Sequence, residues 1–231
     1  MNKETEQQIK FEEADIFKRN VVYPLLASEI KEIHTSYRLN TLHLGIGSGL
    51  EICQIPEGLV GQAILVDKNR EVLEVAEKKF VDKNISVRTF SDDVTKPLDI
   101  QLESIDFAVA LFLSNQVEDY KKMFSNVQRY LKKGGKFLVT VPNEKYIMFC
   151  SDSRQSRLSE QVMDVSERKV IRYIFNGVDL QTNLYVRPNN DYLDLMKALK
   201  FDIEVSKDLY DPFDYSIGDV PKGYLLIGKK V

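Results

Sequence analysis

The stretch Leu42–Gly49, which reads LHLGIGSG, is the part of the chain from which we predict the fold. A short apolar run leads into three glycines at alternate positions, Gly45, Gly47 and Gly49, and a short helical segment follows. Glycines between a strand and a helix permit positive φ angles and let a ligand approach the backbone closely. The helix offers N–H groups that lack intrahelical partners. The stretch therefore predicts a ligand-binding loop at the end of a buried strand.

Strands and helices alternate outward from this loop, as the spacing of apolar residues indicates. The predicted strands are 41–44, 62–66, 85–90, 105–113 and 136–141, and the predicted helices are 3–18, 21–37, 50–55, 70–81 and 117–131. This order is typical of an α/β fold, in which a parallel sheet carries helices on both faces. Right-handed crossovers then join the successive strands.

The pattern changes after the fifth strand. Residues 143–164 are polar and irregular. Two strands, 169–175 and 180–186, flank the pair Asn176-Gly177, which is a strong hairpin signal between such runs. A helix at 191–199 and strands at 201–205 and 224–227 close the chain. We therefore predict one folded unit that carries a hairpin insertion.

Composition excludes several classes of protein. The 231 residues include 32 basic and 35 acidic side chains, a net charge of −3, which gives no basic footprint for nucleic acid. The 2 His and 2 Cys show no metal-ligand spacing and exclude a disulfide framework. The longest apolar run, 107–113, is too short to span a bilayer, and the charged N-terminus does not resemble a signal peptide. We expect a cytoplasmic protein without a metal, a membrane or a nucleic acid as partner.

Asp67 ends the second strand, where a carboxylate can accept hydrogen bonds from two ribose hydroxyls. The dinucleotide fingerprint G-x-G-x-x-G is not met, because the third glycine comes one residue early, at Gly49. The loop also lacks the G-K-[ST] of a P-loop. A G-x-G-x-G loop with a downstream acid indicates an adenosyl ligand without a pyrophosphate.

With these motifs in place, residues 40–142 resemble a class I S-adenosylmethionine-dependent methyltransferase. The family's first motif, hydrophobic-acid-hydrophobic-G-x-G-x-G, matches Leu42–Gly49 except at one position. The strand-four pattern matches IDFAVA at 105–110, and the glycine turn before strand five matches LKKGGKF at 131–137. Arg187-Pro188 resembles a segment of many small-molecule methyltransferases. The resemblance implies a Rossmann-like seven-stranded, mostly parallel sheet with helices on both faces, an N-terminal helical cap and a β-hairpin insertion after strand five.

The resemblance also implies a cofactor site for S-adenosylmethionine, with S-adenosylhomocysteine as the product. It implies that Asp67 binds the ribose and that Asp92 or Asp93 contacts the adenine amino group. We prefer Asp93, because the family acid is usually followed by a small apolar residue, here Val94. The other expected cofactor-binding residues are His43, Gly45, Ile46, Gly47, Gly49, Lys68, Leu111, Arg19 and Tyr23. Arg19 or Tyr23 either meets the cofactor carboxylate or belongs to a solvated helix face.

His43 is the one departure from the first motif, because the family carries an acid at this position, near the cofactor ammonium. A neutral imidazole can accept a hydrogen bond from an ammonium, whereas a protonated one repels it. Alternatively, His43 packs at the strand end and a backbone carbonyl takes the ammonium. Both alternatives remain open at this stage.

The acceptor site is predicted only from position in the fold. Ligands bind beyond the carboxyl ends of the strands in open α/β sheets, which selects Ser114, Asn115, Asn143 and Tyr146 as substrate-binding candidates. Aromatic residues of the insertion either line an apolar pocket or are ordinary strand residues. His34 is either a surface residue or a general base, and no other catalytic side chain is indicated.

We predict methyl transfer to an O or N atom of a small-molecule acceptor by alignment and in-line displacement, which needs no catalytic triad. An inactive or weakly active methyltransferase-fold binding or scaffold protein is the alternative, and a nicotinamide-dependent oxidoreductase is a third, less favoured one. The predicted single domain, 1–231, comprises a helical cap (1–38), a cofactor-binding core (39–142), an insertion or substrate lid (143–190) and a closing helix with strands (191–231). A homodimer is compatible with these features.

Overall fold

The computed structural model describes residues 1–33, 37–152, 168–175, 178–214 and 218–231. The strands are β1 (Leu39–Leu44), β2 (Val60–Val66), β3 (Ser86–Phe90), β4 (Ile105–Leu111), β5 (Leu131–Pro142), β6 (Arg168–Phe175), β7 (Val178–Tyr185), β8 (Phe201–Leu209) and β9 (Gly223–Lys230). The helices are α1 (Lys3–Ala14), α2 (Tyr23–Glu32), α3 (Arg70–Val81), α4 (Tyr120–Tyr130), α5 (Glu144–Asp152) and α6 (Asn189–Ala198). A π-helical turn, Lys18–Val22, and a 3-10 turn, Leu50–Cys53, complete the described elements.

Seven strands form one sheet in the order β3–β2–β1–β4–β5–β9–β8. Strands β1 to β5 pair in parallel, and β9 pairs antiparallel with both β5 and β8. The predicted α/β fold with a mostly parallel seven-stranded sheet is therefore confirmed. The chain order reverses direction across the sheet between β1 and β4, and such a switch point opens a crevice beyond the carboxyl ends of the strands.

Two hydrophobic layers cover the sheet, and alternate strand residues contribute to each. Leu42 and Ala108 belong to the layer that includes residues of α4 and α6. Phe107 and Val109 belong to the opposite layer, with residues of α2 and α3 such as Phe80. Because both faces are covered, the central strands read as continuous apolar runs rather than as alternating ones.

Several predicted boundaries differ from the structure. The strand predicted over 105–113 ends at Leu111, because Phe112 has a φ of 54°, in the left-handed region that a strand does not use. The helix predicted from residue 117 begins at Tyr120, because the Asp119 side chain accepts a hydrogen bond from Lys122 N–H and caps it. The first two helices are also shorter than predicted, and a π-helical turn lies between them. The glycine turn predicted within 131–137, before strand five, lies inside β5, where the register of β5 against β4 shifts.

The segment after β5 was predicted to be irregular over residues 143–164, and this is wrong for residues 144–152, which form α5. Asn143 accepts a hydrogen bond from Lys145 N–H (3.0 Å) at the start of this helix. Residues 153–167 lie outside the described part of the chain. The helix depends on that cap and on the packing of Ile147 against Leu184, a residue far along the chain.

The β6–β7 hairpin forms a separate two-stranded sheet. Its register pairs Phe175 with Val178. The predicted Asn-Gly turn therefore falls outside the described residues, between the two paired strands. Helix α1 lies against β7 and against α3, so the N-terminal cap and the insertion meet. No helix in the described ranges is both long and apolar enough to cross a membrane.

Candidate active site

The glycine loop follows β1 at the switch point of the sheet. Gly45, Gly47 and Gly49 all have positive φ angles, 60°, 56° and 71°. Gly45 N–H donates to the carbonyl oxygen of Val66 (2.7 Å), which joins the loop to the end of β2. A Cβ atom at Gly49 would lie 2.9 Å from the Cβ of Ala76, so α3 packs directly on this glycine. The first and third glycines therefore shape the loop, and Gly47 lies between them.

Asp67 lies beside the glycine loop at the end of β2. Its Oδ2 accepts a hydrogen bond from Gly47 N–H (3.0 Å) and its Oδ1 accepts one from Asn69 N–H (2.9 Å). Burial raises the pKa of Asp67 above its usual value, the two N–H donors oppose this shift, and the nearby Glu12 charge adds to it. Each carboxylate oxygen retains a further lone pair, so the group can still accept hydrogen bonds from a ribose diol.

His43 is completely buried at the end of β1. Its Nδ1 lies 2.8 Å from Glu51 Oε1 and its Nε2 lies 3.0 Å from Thr41 Oγ1. The ring also meets Phe80 edge-on, with 5.1 Å between the ring centroids. Since an ionised carboxylate only accepts hydrogen bonds, Nδ1 donates to Glu51. Both ring nitrogens thus have protein partners, which is the geometry of the packed alternative described above.

Restoring the family acid by His43→Asp is expected to destabilise the fold by about 3 kcal/mol, because it removes the partner of buried Glu51 and brings two carboxylates together. Urea unfolding measures this change. His43→Gln is the matched control, because its amide can still donate to Glu51, and we expect it to retain most of the stability. A His43→Asp protein as stable as the wild type would show that the pair contributes nothing.

The two candidate adenine acids follow β3 and point to different partners. Asp93 Oδ2 lies 2.8 Å from Lys68 Nζ, and Asp93 Oδ1 accepts hydrogen bonds from the Thr95 N–H and hydroxyl. Burial raises the pKa of Asp93, but the hydrogen bonds from Lys68 and Thr95 outweigh it and lower the pKa to about 2. Asp92 instead pairs with Lys96 (2.9 Å). The structure thus brings Asp93, but not Asp92, together with the loop that follows Asp67.

The loop after β4 carries buried polar atoms without a partner. Among the described residues, Ser114 Oγ and Asn115 Oδ1 are buried and make no hydrogen bond, and the same is true of Ser48 Oγ in the glycine loop. Buried polar side chains are nearly always hydrogen-bonded, so such atoms mark a place for a ligand or an ordered water. The Leu113 side chain covers Gly45, because a Cβ there would lie 2.7 Å from Leu113 Cδ1. The β1 and β4 loops therefore lie directly against each other.

Arg187 holds the β4 loop in place, a role that the sequence did not reveal. Its guanidinium donates to the carbonyl oxygens of Ser114 (3.1 Å), Val117 (3.0 Å) and Glu118 (3.0 Å). It also stacks between the rings of Tyr120 and Tyr185. The planar guanidinium has five N–H donors and can stack on aromatic rings, so it can make all of these contacts at once, which a lysine ammonium cannot. The Arg-Pro segment thus joins the end of the insertion to the loop that carries the substrate candidates.

The other substrate candidates lie at the carboxyl end of β5. Asn143 is buried and already bonded, because its Nδ2 donates to Asp208 Oδ1 (2.7 Å). Tyr146 is half-buried on α5, and the Lys222 ammonium lies 5.8 Å from the centre of its ring. The structure therefore gives Asn143 a protein partner and leaves Ser114 and Asn115 as the candidates with free acceptor capacity.

The N-terminal cap brings Tyr23 and Glu12 to the site, and sequence reasoning missed Glu12. Tyr23 is buried, and burial raises the pKa of its hydroxyl far above its usual value, with the charges of Glu51 and Glu12 adding to the shift. Arg19 is exposed. Of the remaining cofactor candidates, Ile46 and Val94 are buried, Leu111 is half-buried and Lys68 is exposed. The helical spacing of Thr5, Gln8 and Glu12 places them on one side of α1, but it does not indicate which element that side contacts.

The residues present fit an adenosyl cofactor. Asp67 keeps acceptor capacity for a ribose diol, Asp93 lies next to the Lys68 ammonium on the neighbouring loop, and the glycine loop adds no side chain of its own at Gly47, where the Glu12 carboxylate lies. Among the described residues, the Ser48 and Ser114 hydroxyls, in the glycine loop and the β4 loop, are buried and without a hydrogen-bond partner. In the described ranges, no three His, Cys, Asp or Glu side chains are grouped so that they could hold a metal ion.

Comparison with known proteins agrees with this geometry. Residues 42–139 match the family model of the methyltransferase domain. No curated protein matches the sequence. An S-adenosylmethionine-dependent methyltransferase from Clostridium acetobutylicum is 16% identical, with a TM-score of 0.65 over 96% of this chain and 95% of that one.

Two further solved structures share the fold. One is a complex of the Haloferax volcanii Trm112 methyltransferase activator with a candidate methyltransferase, with 12% identity and a TM-score of 0.65 over 98% of this chain and 96% of that one. The other is the [4+2]-cyclase SpnF, with 15% identity and a TM-score of 0.61 over 90% of this chain and 81% of that one. Identities this low show the fold alone.

The seven-stranded sheet with helices on both faces has the Rossmann-like fold of solved methyltransferases. The family-model match covers the glycine loop, Asp67, Asp93 and strand β4 in one continuous segment. Residues 42–139 are therefore similar to the methyltransferase domain, and the chain as a whole shares its fold with solved S-adenosylmethionine-dependent methyltransferases.

Proposed function

We propose that this enzyme transfers a methyl group from S-adenosylmethionine to an O or N atom of a small-molecule acceptor. One observation carries the proposal: the partnerless Ser114 and Asn115 atoms lie in the β4 loop, which packs on the glycine loop beside Asp67. Asp67 and Gly47 would hold the cofactor, and the free polar atoms of Ser114 and Asn115 would bind the molecule that receives the methyl group. This is the crevice in which open α/β sheets bind ligands.

The cofactor supplies an electrophilic methyl group, and the side chains of this chain align an acceptor with it and exclude water. In our proposal, Asp67 binds the ribose and Asp93 the adenine, while the β4 loop orients the acceptor. Arg187 keeps that loop rigid through its three carbonyl contacts. Burial raises the pKa of the Tyr23 hydroxyl, with the charges of Glu51 and Glu12 adding to the shift, so Tyr23 keeps its proton at neutral pH.

We propose that the insertion, residues 143–190, closes over a small acceptor. Helix α1 lies against β7, and Tyr185 N–H donates to the Asn115 carbonyl oxygen (2.6 Å), so the insertion reaches both sides of the crevice. The cap (1–38), core (39–142) and closing elements (191–231) then form one domain around it. The net charge of −3 gives no support for a nucleic-acid substrate. We place the enzyme in the cytoplasm, and size-exclusion chromatography tests the homodimer that its sequence allows.

Calorimetric titration with S-adenosylmethionine and S-adenosylhomocysteine tests the first step, and both are expected to bind. A parallel titration with NADH, which is expected to give no heat, tests the oxidoreductase alternative. Turnover is then measured against a panel of phenols, carboxylic acids and amines, with the methylated product detected by mass. No binding heat at about 1 mM cofactor, which corresponds to less than about 4 kcal/mol of affinity, would refute the proposal.

A binding or scaffold protein without catalysis is the second candidate. Its support is His43, which replaces the acid of the first motif and uses both ring nitrogens within the protein. The fold by itself does not specify the reaction, and the solved [4+2]-cyclase shares it. Cofactor binding with no methylated product from any acceptor in the panel would favour this candidate.

A further inference from the structure

Helix α1 presents a polar face to the cofactor crevice. Thr5, Gln8 and Glu12 are spaced by three and four residues and therefore lie along one side of the helix. The Thr5 hydroxyl and the Gln8 side-chain oxygen accept hydrogen bonds from Asn69 Nδ2 (3.1 and 3.4 Å). Ser48 N–H donates to Glu12 Oε2 (2.7 Å). The face thus spans from the N-terminus of α3 to the glycine loop.

Glu12 lies on the part of the loop that a cofactor must approach. A Cβ atom added at Gly47 would collide with Glu12 Oε1, so the carboxylate rests directly on the bare α-carbon of that glycine. Its charge acts on Asp67 on one side and on the Tyr23 hydroxyl on the other. The carboxylate therefore lies between the proposed ribose site and the buried end of the crevice.

The known hydrogen-bond donors of Glu12 are neutral. They are the backbone N–H of Ser48 and the amide of Gln8 (3.1 Å). The neighbouring Asp67 is also an acid, so the crevice holds negative charge that these contacts do not neutralise. S-adenosylmethionine carries two positive groups, an ammonium and a sulfonium, and one negative carboxylate, so its net charge is +1. Its ammonium and sulfonium therefore complement the negative charge of Glu12 and Asp67.

The position that the family uses for the ammonium acid is occupied by His43, which is buried and fully bonded. Glu12 reaches the same loop from a different element of the chain. Its side chain is half-exposed, and α1 contributes no buried residue to the two large core clusters of the described chain. The carboxylate can therefore turn from Ser48 N–H to a ligand without disrupting the core.

We propose that Glu12 is a cofactor-binding residue that receives the ammonium of the methionine end, in the role that an acid at position 43 fills elsewhere in the family. This inference rests on the proposed function, because it presumes an S-adenosyl ligand. The juxtaposition of Glu12 with Gly47 carries it. Helix α1 is then part of the cofactor site rather than only a cover over it.

Glu12→Gln tests the assignment through three ligands measured by calorimetry. S-adenosylmethionine and S-adenosylhomocysteine both carry the ammonium, and we expect each to bind about tenfold more weakly because a charge-assisted hydrogen bond becomes a neutral one. 5′-Methylthioadenosine lacks the whole amino-acid end, and we expect its affinity to stay unchanged. Glu13→Gln is the matched control, since Glu13 is the exposed neighbour in the same helix and its change removes the same charge.

Three results would overturn the assignment. Tighter binding of all three ligands by Glu12→Gln would make Glu12 a competitor for the site. Equal affinities in the variant and the wild type would remove its role, and a loss confined to S-adenosylmethionine would place the carboxylate at the sulfonium instead. If the wild type bound none of the ligands, the proposed function itself would fail. Should Glu12→Gln not fold, Glu12→Asp keeps the charge on a shorter side chain, and a smaller loss confined to the two ammonium ligands is expected.

Discussion

Asp67→Asn is expected to weaken S-adenosylmethionine binding by about 100-fold, since a charged acceptor of two ribose hydroxyls becomes a neutral amide with one acceptor oxygen. The amide NH₂ would also face a hydroxyl or the Gly47 N–H, and a donor facing a donor adds to the loss. Calorimetry with the variant and the wild type gives the ratio of affinities. An unchanged affinity would show that the ribose is bound elsewhere.

The same substitution is expected to change the pH dependence of the stability of the ligand-free protein. Because the folded-state pKa of Asp67 is raised, its contribution favours the fold below the unfolded pKa and is lost as pH rises through the folded pKa. Thermal unfolding of both proteins is measured from about pH 4 to about pH 7. We expect the stability of Asp67→Asn relative to the wild type to increase as pH rises. If the stability of the variant relative to the wild type instead decreased at higher pH, the loop N–H donors would stabilise the ionised Asp67 carboxylate more than burial destabilises it.

Gly49→Ala is expected to destabilise the protein by about 3 kcal/mol, which combines roughly 1 kcal/mol for a positive φ with about 2 kcal/mol for overpacking. The added methyl would lie 2.9 Å from Ala76 Cβ and 3.0 Å from Ala76 Cα, so the backbone of α3 must move. Gly49 lies at the start of the 3-10 turn, so the shift also disturbs the loop beside Asp67. Urea unfolding measures the change in the free energy of unfolding.

Gly58→Ala separates the two contributions. Gly58 also has a positive φ, 81°, but a Cβ there meets nothing within 4 Å. We expect this variant to lose only about 1 kcal/mol, the backbone part alone. Similar losses in both variants would contradict the close packing of α3 on the glycine loop.

The sheet and the position of Asp67 beside the glycine loop were predictable because their signals are local. Buried parallel strands read as apolar runs, and LHLGIGSG followed by Asp67 combines a turn with an acid at the next strand end. Helix α5 was not predictable in the same way, because it depends on the cap by Asn143 and on packing against Leu184. The early end of β4 follows from the backbone of Phe112, and no residue type announces a positive φ at a phenylalanine.

The site was predicted less completely than the fold, because its missing members come from distant parts of the chain. Glu51, which binds His43, belongs to a turn after the glycine loop, and its contact depends on how that turn packs. Glu12 reaches Ser48 across 36 residues, and Arg187 reaches Ser114 across 73. Sequence spacing specifies neighbours on one helix or strand, whereas these contacts exist only once the elements have packed.

The insertion is anchored at both ends and attached to the sheet by a few polar contacts. Asn143 holds its first end through Asp208 and through the Lys222 carbonyl oxygen, and Tyr185 and Arg187 hold its second end on the β4 loop. Because helix α1 lies against β7, the strands between these anchors also support the helix that carries Glu12. A replacement of those strands therefore has to preserve the contact with α1 as well as the anchors at Asn143, Tyr185 and Arg187.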